Sequence, residues 1–372
     1  MIKTILMVTA LQMGLAEPTH AQTISDAQMA FNNKDYDTAL KLYQQFAEAG
    51  DNIAQHRMAL IYFNGLGRPK DFQQSLYWFS KAADNGLLTA NYNIGLHYAN
   101  GYGVPVDHTK ALSYYLKDAE KGLASAQSNL GQMYENGQGT EIDIAKALHW
   151  TRKAAEQGLA AAQHNLSTFY INGKGVEKNL EQAALWASKA AQQGEAKAQN
   201  NLGNFYADGI GFAKDDAQAV NWFSKAADQG FVDAQTNLAS FYELGRGTSK
   251  NILQAILWHR KAIQQGSVTS MHRLGAIYLD GRAGQRDFQQ AFDLFNKAAN
   301  AGYAPSQTNL ATMYARGEGV KSDLVKAYFW FSLAAQKNDA QAIQSLAITE
   351  KLITRTQRSQ AQTLLNNSKK AN

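Results

Sequence analysis

A glycine returns at a fixed interval along most of this chain. Gly50, Gly86, Gly122, Gly158, Gly194, Gly230, Gly266 and Gly302 each follow the last by 36 residues. A constant period of this size marks a repeat architecture. One unit cannot bury its apolar face alone and does so by stacking on its neighbours. The stretch from Ala126 to Gly158, AQSNLGQMYENGQGTEIDIAKALHWTRKAAEQG, is one copy.

The spacing inside the copy predicts two helices. Ala126, Leu130 and Tyr134 are four apart, as are their counterparts in the other copies, so they share one helix face. Gly137 follows three residues later, and an equivalent glycine recurs from Gly65 to Gly317. This is the residue expected to end a helix in the left-handed conformation. A short loop then reaches Asp143, whose equivalents are Asp71, Asp107, Asn179, Asp215, Asn251, Asp287 and Asp323. Asp and Asn accept the unpaired N–H groups of a helix start. We name the two segments helix A and helix B. Every tryptophan of the chain falls at one register of helix B: Trp78, Trp150, Trp186, Trp222, Trp258 and Trp330.

This unit resembles the SEL-one-like repeat, a relative of the tetratricopeptide repeat. The residues that carry the resemblance are Leu130-Gly131, Tyr134, Gly137, Gly139, Asp143, Lys146-Ala147, Trp150, Lys153-Ala154-Ala155 and Gly158. Eight copies cover residues 51–338. The resemblance implies an all-α fold, a right-handed α-solenoid of antiparallel helix pairs with the 36-residue period. It also implies a concave surface, lined by helix A, that grips partners. Exported bacterial members are linked to envelope assembly, to regulation of cell-wall enzymes and to host-cell entry, a range within which the resemblance does not choose.

The ends differ from the repeats. Met1 to Ala21 reads as a signal peptide, with Lys3 as its positive end, a mostly apolar stretch, a break at Pro18 and a cut expected before Gln22. The protein is therefore expected to be exported, periplasmic or secreted. Residues 22–50 form a divergent opening unit, with a short helix around Ala27, Met29 and Ala30 and a second from Tyr36. Residues 339–372 are expected to supply capping helices, the last roughly Thr356 to Asn366, and a disordered tail. The seventh copy departs most, with Ser270, Met271, Ala283 and Leu294 at otherwise regular positions.

Composition removes several function classes. There are no cysteines, which excludes disulfides, thiolate metal sites and a cysteine nucleophile. The net charge of +5 is spread thinly, with no basic run suited to nucleic acid. No segment approaches the length of a membrane span. The histidines show no metal spacing, and no cofactor motif is present. Loop pairs such as Gly101 and Gly103 follow no strand and precede no Gly-Lys-Ser/Thr, so helix termination explains them better than phosphate binding. The Tyr and Trp ladders lie on the Ala–Leu face and are expected to pack in the core.

What varies between copies is the helix-A face opposite that stripe. There we place the candidate partner-binding residues His56, Leu60, Phe63, Tyr92, Leu96, Gln132, His164, Thr168, Asn200, Asn204 and His272. The first five would form an apolar, aromatic patch of the kind that anchors a protein interface. For Leu60 and Phe63, packing against the opening unit is the competing explanation. An amide ladder, Asn93, Asn129, Asn165, Asn201, Asn237 and Asn309 beside Gln127, Gln163, Gln199, Gln235 and Gln307, is expected to tie stacked units together. The expected function is a non-catalytic adaptor for a protein or peptide. A glycan or peptidoglycan binder is the alternative, and lipid-headgroup contact stays open. A hydrolase akin to the cysteine-rich relatives proposed to act on β-lactams fits poorly, for want of a nucleophile signature.

Overall fold

The computed structural model describes residues 18–371, and their side chains from 24 to 368. The expected leader therefore lies largely outside the described residues. Among the described residues there are twenty helices and no strand.

They fall into two compact units. The first, ending at Lys178, pairs α1 (Pro18–Asn32) with α2 (Tyr36–Glu48), α3 (Asn52–Asn64) with α4 (Phe72–Asp84), α5 (Ala90–Asn100) with α6 (His108–Glu120), and α7 (Ala124–Asn136) with α8 (Ile144–Glu156). It also holds α9 (Ala160–Asn172). The second, from Asn179, holds α10 (Leu180–Gln192) and pairs α11 (Ala196–Asp208) with α12 (Asp216–Asp228), α13 (Val232–Leu244) with α14 (Ile252–Gln264), α15 (Val268–Asp280) with α16 (Phe288–Asn300), and α17 (Ala304–Arg316) with α18 (Leu324–Ala335). It ends in α19 (Ala340–Leu352) and α20 (Arg355–Ala371). From α3 to α18, odd helices are helix A and even ones helix B. Within each unit, helix B of one pair packs on helix A of the next, and the pairs stack as an α-solenoid.

Local chemistry sets the start of helix B and the end of helix A. The aspartates and asparagines that open helix B accept from the backbone N–H three residues on, at 2.9–3.1 Å. Helix A ends on a left-handed glycine in each of the eight copies, for example Gly137 at φ 68°. The Gln ladder does the work expected of it. Gln127 Nε2 donates to the Ala119 carbonyl at 3.0 Å, across the step from one hairpin to the next. Gln127 Oε1 in turn accepts from Gln157 Nε2 at 2.7 Å. The same pattern recurs at Gln199, which donates to Ala191 O and accepts from Gln229.

The core is a strip of Ala and Leu. Ala126, Ala162, Ala198 and Ala234 are fully buried, with Leu130, Leu166, Leu202 and Leu238 beside them. The glycine after the Leu position makes room for a ring from helix B. A Cβ on Gly95, Gly203 or Gly275 would sit 2.5–2.8 Å from Tyr115, Phe223 or Phe295. The Tyr and Trp ladders flank this strip. Tyr134 and Trp258 are buried, while Trp150, Trp186 and Trp222 are half-buried with a lysine over each ring.

The termini correct two expectations. The first helix is longer than the short one expected, starting at Pro18. α20 continues to Ala371, so most of the tail expected to be disordered is helical. α20 covers α18 through Ala361 and Leu365, which pack with Tyr328 together with Ile353 from the turn after α19. Glu350, in the tyrosine register, accepts from Tyr328 Oη at 3.2 Å.

Candidate partner-binding surface

Helix A has three neighbours: its own helix B and the hairpins before and after it. Little of its circumference is left for solvent, and that decides the fate of the candidate residues. Adjacent A helices reach each other with polar side chains, which draws His56, Asn200 and His272 sideways into the stack.

In the first unit, His56 meets Asn93 Nδ2 at 3.3 Å and sits edge-on to Phe79. Burial, reinforced by the charge of Arg57, pushes its pKa down to about 4. Phe63 lies within 5.5 Å, ring centre to ring centre, of Phe72, His97 and Tyr102. Tyr92 packs on Tyr115 at 5.6 Å, and burial raises its pKa. Leu60 and Leu96 are half-buried against the cores of their hairpins. The exposed aromatic patch expected from these five residues is therefore a set of contacts within the stack. The reason is that residues seven apart along helix A, such as His56 and Phe63, share a flank that neighbouring helices cover.

Gln132 is exposed as expected. Thr168 is half-buried, its hydroxyl donating to the His164 carbonyl at 3.3 Å, and His164 is half-buried near Asn165. In the second unit Asn200 is buried and accepts from Asn237 Nδ2 at 3.0 Å, with half-buried Asn204 at 3.4 Å. His272 approaches Ser306 Oγ at 3.0 Å and lies between the rings of Phe295 and Tyr303. Burial lowers its pKa to about 4. What stays open in the first unit is a strip through Leu60, Leu96, Gln132 and Thr168, each 36 residues from the last; in the second unit Asn204, at the same register, is half-buried.

The repeat model of one family matches this chain nine times, at residues 33–51, 52–87, 88–123, 124–159, 160–195, 196–231, 232–267, 268–303 and 304–339; the family is the Sel1 repeat. The chain belongs to the Sel1-repeat family. The first match takes in part of the opening unit. Among solved structures, the chain is similar to a protective antigen present in uropathogenic Escherichia coli strains that displays an SLR fold. The two are 36% identical over 87% of this chain and 69% of that one, with a TM-score of 0.77. It is also similar to a Sel1 repeat protein from Oxalobacter formigenes, 28% identical over 93% of this chain and 97% of that one, with a TM-score of 0.61. A comparison with the curated proteins finds no match.

Against the Sel1 pattern, single copies carry departures that come in pairs. Asn91 stands where six of the other copies have Gln, and Asp118 where all of them have Ala. The buried Asp118 carboxylate accepts from Asn91 Nδ2 at 3.0 Å and from the Tyr92 backbone N–H at 2.8 Å. It thereby caps α5, whose own Thr89 makes no cap. Burial raises its pKa, against the pull of those bonds. Likewise Ser75 replaces Ala where His97 replaces an apolar residue, and the two meet at 3.2 Å.

The third departure has the form of catalytic machinery. Ser270 Oγ lies 3.1 Å from His259 Nδ1, and His259 Nε2 lies 3.7 Å from Glu243 Oε2. Yet Ser270 and His259 are 0% exposed and Glu243 is 4%. The serine faces the hydroxyl of Thr236 at 2.9 Å, and Arg282 holds the other carboxylate oxygen. A substrate has no approach to this serine, so the arrangement serves as a sealed polar plug. Sequence reading missed it because each residue is unremarkable alone. The signal was that Ser270 and His259 depart from their ladders together.

Proposed function

We propose that this Sel1-repeat protein is an exported, non-catalytic adaptor that holds a segment of another protein along its helix-A strip. Sel1-repeat proteins serve as protein–protein interaction scaffolds. What supports the finer reading is the strip itself. Side chains such as Gln132 and Thr168, one hairpin apart in the first unit, offer uncharged hydrogen-bonding groups to an extended chain.

Two observations favour a protein ligand over a glycan and over catalysis. The half-buried tryptophan faces that a sugar would stack on already carry Lys153, Lys189 and Lys225. The one serine–histidine–glutamate set described above is closed to solvent. Export through the Met1–Ala21 leader is part of the proposal, and places the adaptor in the periplasm or outside the cell, where envelope regulation and host-cell contact are the settings to examine. Among the described residues no helix is long and apolar enough to cross a membrane.

The test is photo-cross-linking in cells from positions 96, 132 and 168, read by mass spectrometry, with the fully buried position 130 as control. A discrete protein captured from the strip and absent from the control is the expected result. Equal capture at all four positions, or none, would overturn the proposal. N-terminal sequencing of the recovered protein should begin at Gln22; an intact Met1 start would remove the export part.

A further inference from the structure

One hairpin keeps a lysine whose ring has gone. In the second unit Lys225 and Lys261 lie over Trp222 and Trp258, at 3.9 and 3.8 Å from the ring centre. On α16 the tryptophan register holds Leu294. Lys297 stands three residues on, as in the sibling helices, and among the described residues it has no ring beneath it and no ion pair.

The space of the missing indole is open. Trp258 shares its core cluster with Ala227, Leu238 and Tyr242. One hairpin later the corresponding residues are Ile263, Leu274 and Tyr278, and these line a surface groove of about 380 Å³ together with Leu294, Lys297 and Arg260. Ile263 is larger than the alanine it replaces and narrows the groove without closing it. The volume falls in the lower part of the roughly 300–1,000 Å³ range of ligand cavities.

The lining fits one kind of occupant. Ile263, Leu274 and Leu294 give apolar walls. Tyr278 closes one end, its hydroxyl held by Arg260 at 2.9 Å. Lys297 offers a cation at the rim. An aliphatic side chain would use the walls and leave the ammonium idle, whereas an aromatic ring would use both. Gln264, also on the rim, supplies an amide for the backbone of a chain that carries such a ring.

We propose that this groove between α14, α15 and α16 is a docking slot for the aromatic side chain of a partner polypeptide, the incoming ring lying under Lys297 where sibling hairpins place their own indole. Tryptophan is the favoured anchor, since it matches the vacated shape and is among the residues enriched at interface hot spots. The slot is separate from the helix-A strip, so either can fail without the other.

The test is a titration of the full chain, carrying labelled Ile and Leu methyl groups, with N-acetyl-tryptophanamide and with N-acetyl-leucinamide. The tryptophan probe should shift the methyl signals of Ile263, Leu274 and Leu294 and bind more tightly than the leucine probe. Lys297→Met should weaken the tryptophan probe about two- to fivefold and leave the leucine probe unchanged. Leu294→Trp, which fills the slot as the sibling hairpins do, should abolish both while the chain stays folded. Equal binding of the two probes, shifts confined to other residues, or binding that survives Leu294→Trp would overturn the slot. A random-peptide phage library panned on the wild-type chain, with the Leu294→Trp chain as competitor, should enrich Trp, Tyr or Phe. If the free probe binds but no aromatic peptide is enriched, the polypeptide occupant is wrong.

Discussion

The same inter-hairpin ion pair occurs once in each unit, and the two copies are not equivalent. Glu135 meets Lys174 in the first unit and Glu243 meets Arg282 in the second. In both, the acid sits near the end of helix A and the base in the glycine loop of the following hairpin. Glu135 is 28% exposed and Lys174 is 40%, so water shares the charge. Glu243 is 4% exposed and has His259 behind it as well as Arg282 in front. The contrast shows that the repeat fixes where a pair forms, and burial fixes what the pair is worth.

The largest expected effect comes from breaking each pair on its basic side. Arg282→Met leaves a buried carboxylate without its main partner and should cost about 2–3 kcal/mol, below the full figure for a buried pair because Arg282 is itself a third exposed. Lys174→Met should cost under about 1 kcal/mol, as for surface pairs. Denaturant unfolding of the two variants measures the difference. Equal losses would show that register, and not burial, governs these contacts.

A second contrast concerns the two loop glycines. A Cβ on Gly139 would lie 2.4 Å from the backbone of His108 in the preceding hairpin. A Cβ on Gly158, at φ +91°, would meet nothing within 4 Å. Gly139→Ala should therefore cost about 2–3 kcal/mol, from conformation and overlap together. Gly158→Ala should cost only about 1 kcal/mol, from conformation alone. Thermal melts separate the two, and equal shifts would remove the close approach from the account.

Acid compares the units without mutation. His56 in the first and His272 in the second have folded pKa values near 4, below the ordinary 6.5, because burial disfavours their charged forms. The unfolded chain binds more protons between these values, so stability is full above about pH 6.5 and falls as pH drops toward 4. Each should contribute a loss on the order of 2 kcal/mol near pH 5. Glu243 is opposite in kind. Burial raises its pKa, but the bonds from His259 and Arg282 prevail and hold it at about 2 against an ordinary 4.5. Its contribution is present above pH 4.5 and is lost only as pH falls from there toward 2. His56→Asn and His272→Asn should each flatten the upper window and leave the lower one, as read by urea unfolding across pH.

Periodicity made the skeleton legible in the sequence. The helix-B caps, the left-handed glycines, the Ala–Leu strip and the Gln ladder all follow from residue types that recur at one register, and the structure places each as read. The candidate surface was only partly legible. Reading helix A as having one buried face put His56, Phe63, Tyr92, Asn200 and His272 in solvent, where the flanking hairpins in fact cover them. Period alone cannot show how much of a helix its neighbours in the stack conceal. The paired departures, Asn91 with Asp118 and Ser270 with His259, were present in the sequence. They become meaningful only when contacts show that the two oddities touch.

The smallest prediction runs against the repeat itself. Ala283 stands where the other copies have the second loop glycine, and restoring glycine looks like a repair. The structure argues otherwise. Among the described residues only Lys34 and Asn338 take positive φ without being glycine, so Ala283 sits in ordinary backbone, and the left-handed step has moved to Gly284 at φ +129°. The Gly284 N–H donates to the Gly281 carbonyl at 3.0 Å, closing a turn of its own. With no positive φ to relieve, glycine at 283 mainly adds freedom to the unfolded chain, so Ala283→Gly should destabilise by about 0.4–1 kcal/mol. A gain in melting temperature would mean that the seventh loop is a strained version of its siblings; a small loss would mean that it has settled into a different turn.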